Sequence, residues 1–320
     1  MASQKLPEKL KLGTRGSALA LAQTEWVIEK FRRRHPKIAI EKKVIQTSGD
    51  TFKGELLAEG GGKGLFVKEI EEALLKGEID FAVHSLKDLP GILPNDLALA
   101  CFPKREDARD CLISKKKETL KTIAGGARIG TSSPRRTSQI LSLRSDLKTM
   151  PIRGNIDTRL KKLEVGEYDA IFLAMAGLNR LALPPHPSIF YNRLEPEEFI
   201  PAVGQGVLGI ETRAKDGVVI RALQEALEDP HTAVAAKAER IFLAAVGGDC
   251  YSPIAAHAQV KGNQLQMVCW IGSTDGKRFI RLQETGDLLK PEMFGETLAK
   301  KALSSGGQII LNEIFANKTR

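Results

Sequence analysis

The chain has 320 residues, a formal net charge of +9, and hydrophobic and charged fractions of 42% and 27%. These proportions are those of a globular protein and exclude a disordered chain or a membrane protein, since no apolar run approaches the ~18 residues that a spanning helix needs. The length predicts two or three domains, and the polar start of the chain, which lacks a signal-peptide pattern, predicts a cytoplasmic protein.

The first half of the chain begins with a short strand at 10–12 and a helix at 17–31, separated by a Gly-Thr loop. Apolar residues at helical spacing indicate the helix. A second helix at 65–76 ends at Gly77, directly before an apolar strand at 81–83. The sequence therefore predicts alternating strands and helices here.

The second half repeats this order, which indicates that the two halves are structural copies. Ser133 is the predicted N-cap of its first helix and Pro134 the first helical residue. The first half is longer because it includes the glycine-rich stretch 54–64, which we predict to be a mobile insertion. The repeated elements are a strand at 128–130, a helix at 133–143, a helix at 158–165 that ends at Gly166, and a strand at 170–174.

Strands that alternate with helices predict an α/β fold with two lobes built on open sheets. Ligands of such sheets bind beyond the carboxyl ends of the strands, so two lobes would form a binding cleft. A third, smaller α+β domain is predicted from about Leu223. One more strand-like run, 207–211, precedes this domain. The predicted elements of the domain are a helix at 231–246, strands at 265–271 and 279–282, and a final helix at 290–304. The predicted domains are 1–104 with 204–222, then 105–203, then 223–320.

Basic and hydroxyl side chains recur at the predicted strand ends and helix starts of both halves. Helix N-termini and arginine forks bind carboxylates, so the set predicts a site for a small polyanion. Each residue taken alone could equally cap a helix or lie in solvent. The set comprises Thr14, Arg15, Ser17, Lys87, Thr131, Ser132, Ser133, Arg135, Arg136, Arg153, Arg159 and Arg180.

The net charge also admits a nucleic acid or an anionic membrane surface as partner. Single-stranded nucleic acid needs aromatic side chains to stack on, yet aromatics make up only 5% of the chain. A small polycarboxylate therefore fits the arginines better, and we expect neither nucleic acid nor membrane as partner.

Asp88 follows the strand at 81–83 in a loop that places it beside Lys87 at the predicted cleft. A carboxylate among fixed cations stays ionised, can stabilise a cationic intermediate and can move protons locally, so Asp88 is the candidate acid/base. A salt bridge to Lys87, or a turn cap before Pro90, is the alternative.

The four cysteines, Cys101, Cys111, Cys250 and Cys269, form no CxxC pair and have no histidine at zinc-finger spacing. They predict reduced thiols rather than a metal site or a disulfide framework. Cys250 lies in a loop and could be a nucleophile or a covalent anchor, although an inert thiol fits the residue alone. The neighbouring Asp249 would raise the pKa of that thiol by charge repulsion.

Taken together, these residues resemble the porphobilinogen deaminase family through essentially the whole chain. The segments that carry the resemblance are 13–20, 61–69, 82–88, 105–107, 130–133, 153–155, 166–170 and 201–206, in the order of that family's motifs. One departure is Gly248-Asp249-Cys250, where the family often has Gly-Gly-Cys. The match weakens beyond about Val260.

The resemblance implies a monomer with two lobes of open mixed sheets, like those of type II periplasmic solute-binding proteins, plus a smaller third domain. It implies a transferase that condenses four porphobilinogen molecules, with loss of ammonia, into hydroxymethylbilane, which would pass to uroporphyrinogen-III synthase. It also implies a dipyrromethane cofactor, made from the enzyme's own substrate and attached to Cys250 through a thioether, and a catalytic role for Asp88.

The resemblance assigns the remaining site residues to the acetate and propionate groups of cofactor and substrate. Lys63 matches a loop expected to cover the cleft. The cofactor set is Lys63, Lys87, Ser133, Arg135 and Arg136, and the substrate set is Arg15, Ser17, Arg153, Arg159 and Arg180. The main alternative is a two-lobed solute-binding protein for organic polyanions, which would use the same arginines without chemistry.

Overall fold

The computed structural model describes residues 5–51, 67–183, 188–249 and 251–318. It contains two five-stranded sheets and one three-stranded sheet. None of the helices in these ranges is both long and apolar enough to cross a lipid bilayer.

The first lobe has a sheet of strand order β2-β1-β3-β10-β4, in which β1 is parallel to β2 and β3, and β10 is antiparallel to β3 and β4. Ser17 caps the first helix by accepting a hydrogen bond from the backbone N of Ala20. The elements are β1 (Lys9–Thr14), α1 (Ala18–Arg34), β2 (Ala39–Val44), α2 (Ser48–Thr51), α3 (Lys68–Leu75), β3 (Phe81–Ser85), β4 (Leu97–Cys101), β10 (Leu208–Arg213) and α7 (Gly217–Leu227).

The second lobe repeats this topology with the order β7-β6-β8-β5-β9, in which β6 is parallel to β7 and β8, and β5 is antiparallel to β8 and β9. Ser133 caps α4 and Pro134 is its first residue, as predicted. The elements are β5 (Asp110–Ser114), β6 (Arg128–Gly130), α4 (Pro134–Leu143), β7 (Lys148–Met150), α5 (Ile156–Glu164), β8 (Ala170–Ala174), α6 (Met175–Leu181) and β9 (Phe190–Leu194).

The matching strand orders confirm the prediction that the two halves are structural copies. Gly77 and Gly166, which end the equivalent helices, both have positive φ, at 70° and 82°. In each lobe the antiparallel fourth strand is supplied by chain that has just crossed from the other lobe, at 102–109 and at 195–207. The lobes are therefore joined by two crossing segments.

The third unit is an antiparallel sheet, β11-β12-β13, covered by helices. Asp229 caps its first helix through the backbone N of Thr232, at 2.8 Å. The elements are α8 (Pro230–Ala245), β11 (Ile254–Lys261), β12 (Gln264–Gly272), β13 (Phe279–Asp287), α9 (Pro291–Ala302), one π-helical turn (Leu303–Gly307) and α10 (Gln308–Lys318).

Three features of this region differ from the sequence prediction, the first of which is β11, a strand that was not predicted. The predicted last helix, 290–304, stops at Ala302, and the chain passes through Gly306 at a φ of 112° into α10, which was not predicted. Leu223, the predicted start of the third domain, is fully buried in the core of the first lobe, where α7 packs against α1.

A buried ion pair fastens the third unit to the crossing segments. Arg105 Nη1 donates to Glu239 Oε1 at 2.6 Å, and Arg105 Nε donates to the carbonyl O of Gln205 at 2.8 Å. The second carboxylate oxygen of Glu239 accepts the backbone N–H of Gly204 at 2.6 Å. One carboxylate on α8 therefore holds both crossing segments in place.

Candidate functional site

A cavity of about 1220 Å³ is lined by residues of both lobes and of the third unit. It lies at the carboxyl ends of β1, β3 and β8, the position that the alternating pattern predicts for a ligand. Eight of the ten predicted site residues that the structure describes line it. They are Arg15, Ser17, Lys87, Asp88, Arg136, Arg153, Arg159 and Arg180.

The charge of the lining is strongly positive. Six of its side chains are cationic, whereas two carboxylates, Asp88 and Asp157, line the same cavity. In the described ranges, no group of three or more His, Cys, Asp and Glu side chains is arranged to hold a metal ion. Such a lining suits a ligand with several carboxylates.

Asp88 lies in a 3-10 turn, Leu86–Asp88, at the end of β3. The turn is anchored because Leu86 is buried and its backbone N donates to the carbonyl O of Val207 on a crossing segment, at 3.0 Å. Asp88 itself is exposed to the cavity. Burial lowers the pKa of both Lys87 and Arg159, and the negative charge of Asp88 opposes this lowering. The carboxylate therefore lies among cations from both lobes.

Lys87 is the cavity cation whose pKa lies nearest to neutral pH. Burial lowers its pKa to about 8, and the charges of Arg136 and Arg135 act in the same direction, while Asp88 and Asp110 oppose them. A bound carboxylate would favour the ammonium form. Lys87 can therefore respond to the ligand by taking up a proton.

Two arginines of the second lobe are oriented by backbone carbonyls. Arg159 Nε donates to the carbonyl O of Gly154 at 2.7 Å, and Arg180 Nη2 donates to the carbonyl O of Gly206 at 2.8 Å. Burial lowers the pKa of Arg159, and it lowers that of Arg180 to about 10, so both remain cationic at neutral pH. Neither forms an ion pair among the described side chains, so their charge is available to a ligand.

Ser133 and Arg135 do not line the cavity. The Ser133 hydroxyl caps α4 by accepting from the backbone N of Arg136, at 3.4 Å. Arg135 is 4% exposed and donates to Asp110 Oδ2 at 2.7 Å and to the carbonyl O of Ile200 at 2.8 Å. In this structure both residues support the cavity wall from behind, and their predicted contact with the cofactor stays a prediction.

Cys250 and Lys63 lie outside the described residues. The other three cysteines, Cys101, Cys111 and Cys269, are buried free thiols, and burial raises the pKa of each, to about 12 for Cys111 and Cys269. These three thiols are therefore inert at neutral pH.

The residues on either side of Cys250 are described and form a turn. Asp249 Oδ1 accepts the backbone N–H of Tyr251 at 3.0 Å and the hydroxyl of Ser252 at 2.7 Å. Tyr251 lines the cavity. The carboxylate that departs from the family pattern therefore helps to form this turn, next to the cavity.

Several lining residues were missed by the sequence prediction. Gln23 Nε2 donates to the Ser85 hydroxyl at 3.0 Å and joins α1 to β3 at the cavity floor. Thr274 and Ile314 come from the third unit. Ser85 lies within the recognised segment 82–88 and could have been included, but no local signal links the third unit to the cleft.

Two family models match the chain. Residues 10–221 match "Porphobilinogen deaminase, dipyromethane cofactor binding domain", and residues 233–304 match "Porphobilinogen deaminase, C-terminal domain". Together they cover both lobes and most of the third unit.

Curated relatives match over nearly their full length. Porphobilinogen deaminase from Pelobacter propionicus is 45% identical over 309 residues, which are 97% of this chain and 98% of that protein. The enzyme of the same name from Bacillus subtilis is 45% identical over 306 residues, which are 95% and 96% of the two chains.

Solved structures show weaker likeness. An arginine-specific periplasmic binding protein from Salmonella typhimurium matches 69% of this chain and 92% of its own, at 12% identity and a TM-score of 0.41. The effector-binding domain of BenM with benzoate matches 69% and 91%, at 17% identity and a TM-score of 0.42.

Proposed function

Since the chain belongs to the porphobilinogen deaminase family, we propose that it joins four porphobilinogen molecules head to tail, with loss of ammonia, and releases hydroxymethylbilane by hydrolysis. The observation that carries this proposal is the cavity that Asp88 lines together with six cationic side chains. Each pyrrole unit brings two carboxylates, so a chain that grows in this cavity needs repeated neutralisation.

The cavity fits a dipyrromethane cofactor, whose four carboxylates match its excess of cations. Lys87 and Arg136 line it close to Asp88, as their mutual electrostatic effects indicate. Tyr251 lines the same cavity and is the neighbour of Cys250, the residue proposed to carry the thioether. When bound, the cofactor supplies the nucleophilic pyrrole carbon to which substrate is added.

The chain's own residues supply orientation and proton transfer. Arg153, Arg159 and Arg180 would hold the acetate and propionate groups of the substrate, with Arg15 and Ser17 contributing from the first lobe. Asp88 would favour the loss of ammonia by handling a proton, and its negative charge would stabilise positive charge at the pyrrole nitrogen. An exposed carboxylate on an anchored turn suits this role because it can reach successive substrates without moving the sheet.

The proposal also includes the cellular setting and the division into domains. We propose a cytoplasmic monomer that passes its product to uroporphyrinogen-III synthase. The three sheets support three domains, 1–104 with 204–228, 105–203 and 229–320. The packing of α7 on the first lobe supports a last boundary close to Asp229 rather than at Leu223.

Intact-mass measurement under denaturing conditions tests the proposal. After incubation with porphobilinogen, we expect the wild-type chain to carry a mass excess equal to a dipyrromethane and to produce hydroxymethylbilane. Cys250→Ser should carry no such excess, because no other described thiol is accessible. A wild type that binds porphobilinogen but stays unmodified and does not consume it would instead favour a solute-binding protein.

A further inference from the structure

A buried carboxylate connects an arginine behind the cavity wall to an arginine in that wall. Asp110, the first residue of β5, is fully buried, with 0% of its surface exposed. Its Oδ2 accepts Nη1 of Arg135 at 2.7 Å, and its Oδ1 accepts Nη2 of Arg136 at 2.6 Å. Of these two arginines, Arg136 lines the cavity and Arg135 does not.

The contacts of Arg136 fix the plane of its guanidinium group. A guanidinium has five N–H donors in one plane. Nε and Nη2 of Arg136 donate to Oδ1 of Asp110, and Nη1 donates to the carbonyl O of Phe172 at 2.9 Å. The described residues supply no acceptor for the second N–H of either terminal nitrogen, and the two oxygens of a carboxylate can accept two such donors together.

The cluster of Asp110, Arg135 and Arg136 carries a net charge of +1 in a dry environment. Burial opposes ionisation of Asp110, but the two guanidinium groups outweigh burial and hold the pKa of its carboxyl well below the usual range. Asp110 is therefore ionised throughout the neutral pH range. The charges of all three residues act on Lys87, so the cluster lies close to the centre of the site.

The fold itself does not require a carboxylate at this position. In the first lobe the equivalent strand, β10, begins with Leu208 opposite Ser85, just as β5 begins with Asp110 opposite Ala174. Leu208 is 1% exposed and packs in an apolar core. A buried acid where the matching lobe has leucine points to a role in the site rather than in the sheet.

We propose that Asp110 is a positioning residue for carboxylate binding, which holds Arg136 so that its two remaining donors face a carboxylate of cofactor or substrate. This inference rests on the proposed function. Its action is indirect, since Asp110 lies behind the wall and acts through Arg136.

The test compares Asp110→Asn, Arg136→Gln and the double variant, each incubated with porphobilinogen. The measurements are the fraction of chains that carry the covalent adduct, and KM and kcat for porphobilinogen. For Asp110→Asn we expect the adduct fraction to fall and KM to rise by about tenfold, the loss typical of one charge-assisted hydrogen bond, with a much smaller change in kcat. The matched control is Asp146→Asn, which removes an exposed partner of Arg144 in the same lobe and should leave all three quantities unchanged.

The double variant separates positioning from folding. Asp110→Asn leaves two buried arginines without a counter-ion and can fail to fold, whereas the double variant restores the wild-type cluster charge of +1. If Asp110 acts through Arg136, the double variant should match Arg136→Gln in adduct fraction and KM.

Two outcomes would overturn the inference. One is a folded Asp110→Asn with wild-type loading and KM, even if its thermal midpoint is lower. The other is a double variant that loads and binds far worse than Arg136→Gln. Failure of the wild type to acquire an adduct or consume porphobilinogen would contradict the proposed function itself, which this design distinguishes from failure of the Asp110 inference.

Discussion

The two lobes share one sheet topology but differ in which equivalent positions carry charged side chains. At the end of its third strand the first lobe has a turn that presents Lys87 and Asp88 to the cavity. At the equivalent end of β8, α6 begins at Met175, and the next two residues, Ala176 and Gly177, line the cavity without a charge. The first lobe therefore supplies the group proposed to handle protons, and the second supplies four of the five cavity arginines.

The interiors of the two sheets also differ: a buried polar residue in one lobe has an apolar residue at the equivalent position of the other. The first lobe buries His84 Nε2 2.9 Å from Glu211 Oε2, where the register of the second lobe places Leu173 and Ile113. The second lobe buries Asp110 where the first has leucine. The repeated topology thus gives the two lobes equivalent side-chain positions, while the residue type at each position differs between the lobes.

Asp88→Asn gives the largest expected effect, because it removes the acid/base group that distinguishes the first lobe. We expect kcat for hydroxymethylbilane formation to fall by about 10²–10⁴, the usual contribution of such a group, with an unchanged thermal midpoint because Asp88 is exposed. Steady-state assays and thermal melts measure both. The control is Asp157→Asn, which removes the cavity carboxylate of the second lobe and should lower kcat far less. Near-normal turnover by Asp88→Asn would contradict the role proposed for Asp88.

Arg153→Leu tests the anion-binding side of the comparison. Losing one charge-assisted hydrogen bond costs about 1.5–3 kcal/mol, so we expect cofactor loading, or kcat/KM of the loaded enzyme, to fall by about 10- to 100-fold. Intact mass and steady-state kinetics report these two quantities. Arg33→Leu, on the exposed surface of α1, is the control. Full loading and turnover in Arg153→Leu would count against the carboxylate clamp.

Lys87 sharpens the comparison, because its ammonium is the one cavity cation expected to titrate close to neutrality. Its pKa of about 8 lies below the ordinary value for lysine because of burial, so the free enzyme loses this charge as pH rises. We expect kcat/KM to fall by up to about fivefold between about pH 8 and pH 9, as the protonated fraction of Lys87 falls from about one half to about one tenth, and Lys87→Arg to remove that decline. The substrate amine titrates in both assays, so the difference between the two profiles is decisive; identical profiles would exclude Lys87.

The sequence predicted the paired topology and all six cations of the cavity lining because both follow from local patterns. The Gly-Thr loops, the cap at Ser133 and the glycines at the helix ends recur at matching places, and alternation places their residues at one edge of each sheet. The fold of the last 100 residues was predicted less well, since Gly306 reads as a loop although the chain continues into α10.

The division between Arg135 and Arg136 could not be predicted from the sequence. The two residues are adjacent on α4, and which of them reaches the cavity depends on how that helix packs against Asp110 and Ile200. Both partners are distant in the sequence. Long-range packing of this kind leaves no local pattern, so the sequence assigned both arginines to the same role.

The smallest expected effect concerns Glu71, on α3 beside the buried His84–Glu211 pair of the first lobe. Burial and the charge of Glu211 raise its pKa from 4.5 to about 7, with His84 opposing them, and its buried Oε1 accepts no hydrogen bond from the described residues. Arg240 lies near Glu211 as well: burial lowers the pKa of Arg240 to about 10, and the charge of Glu211 opposes this lowering. The second lobe has apolar residues at the positions of the pair, so this titration belongs to the first lobe alone.

Because the folded protein binds the Glu71 proton more tightly than the unfolded chain, the resulting stabilisation is complete below about pH 4.5 and is lost as pH rises through about 7. Glu71→Gln keeps the neutral form at every pH. We therefore expect its thermal midpoint to equal that of the wild type near pH 5 and to exceed it by about 2 °C at pH 8, a shift of the size that about 1 kcal/mol produces in a chain of this length. Glu72→Gln, which removes the exposed partner of Lys76 on the same helix, should not show this pH-dependent difference in midpoint. A Glu71→Gln midpoint that follows the wild type at both pH values would mean that this carboxyl titrates in the folded protein as it does in water, and that the polar interior of the first lobe is as insensitive to pH as the apolar interior of the second.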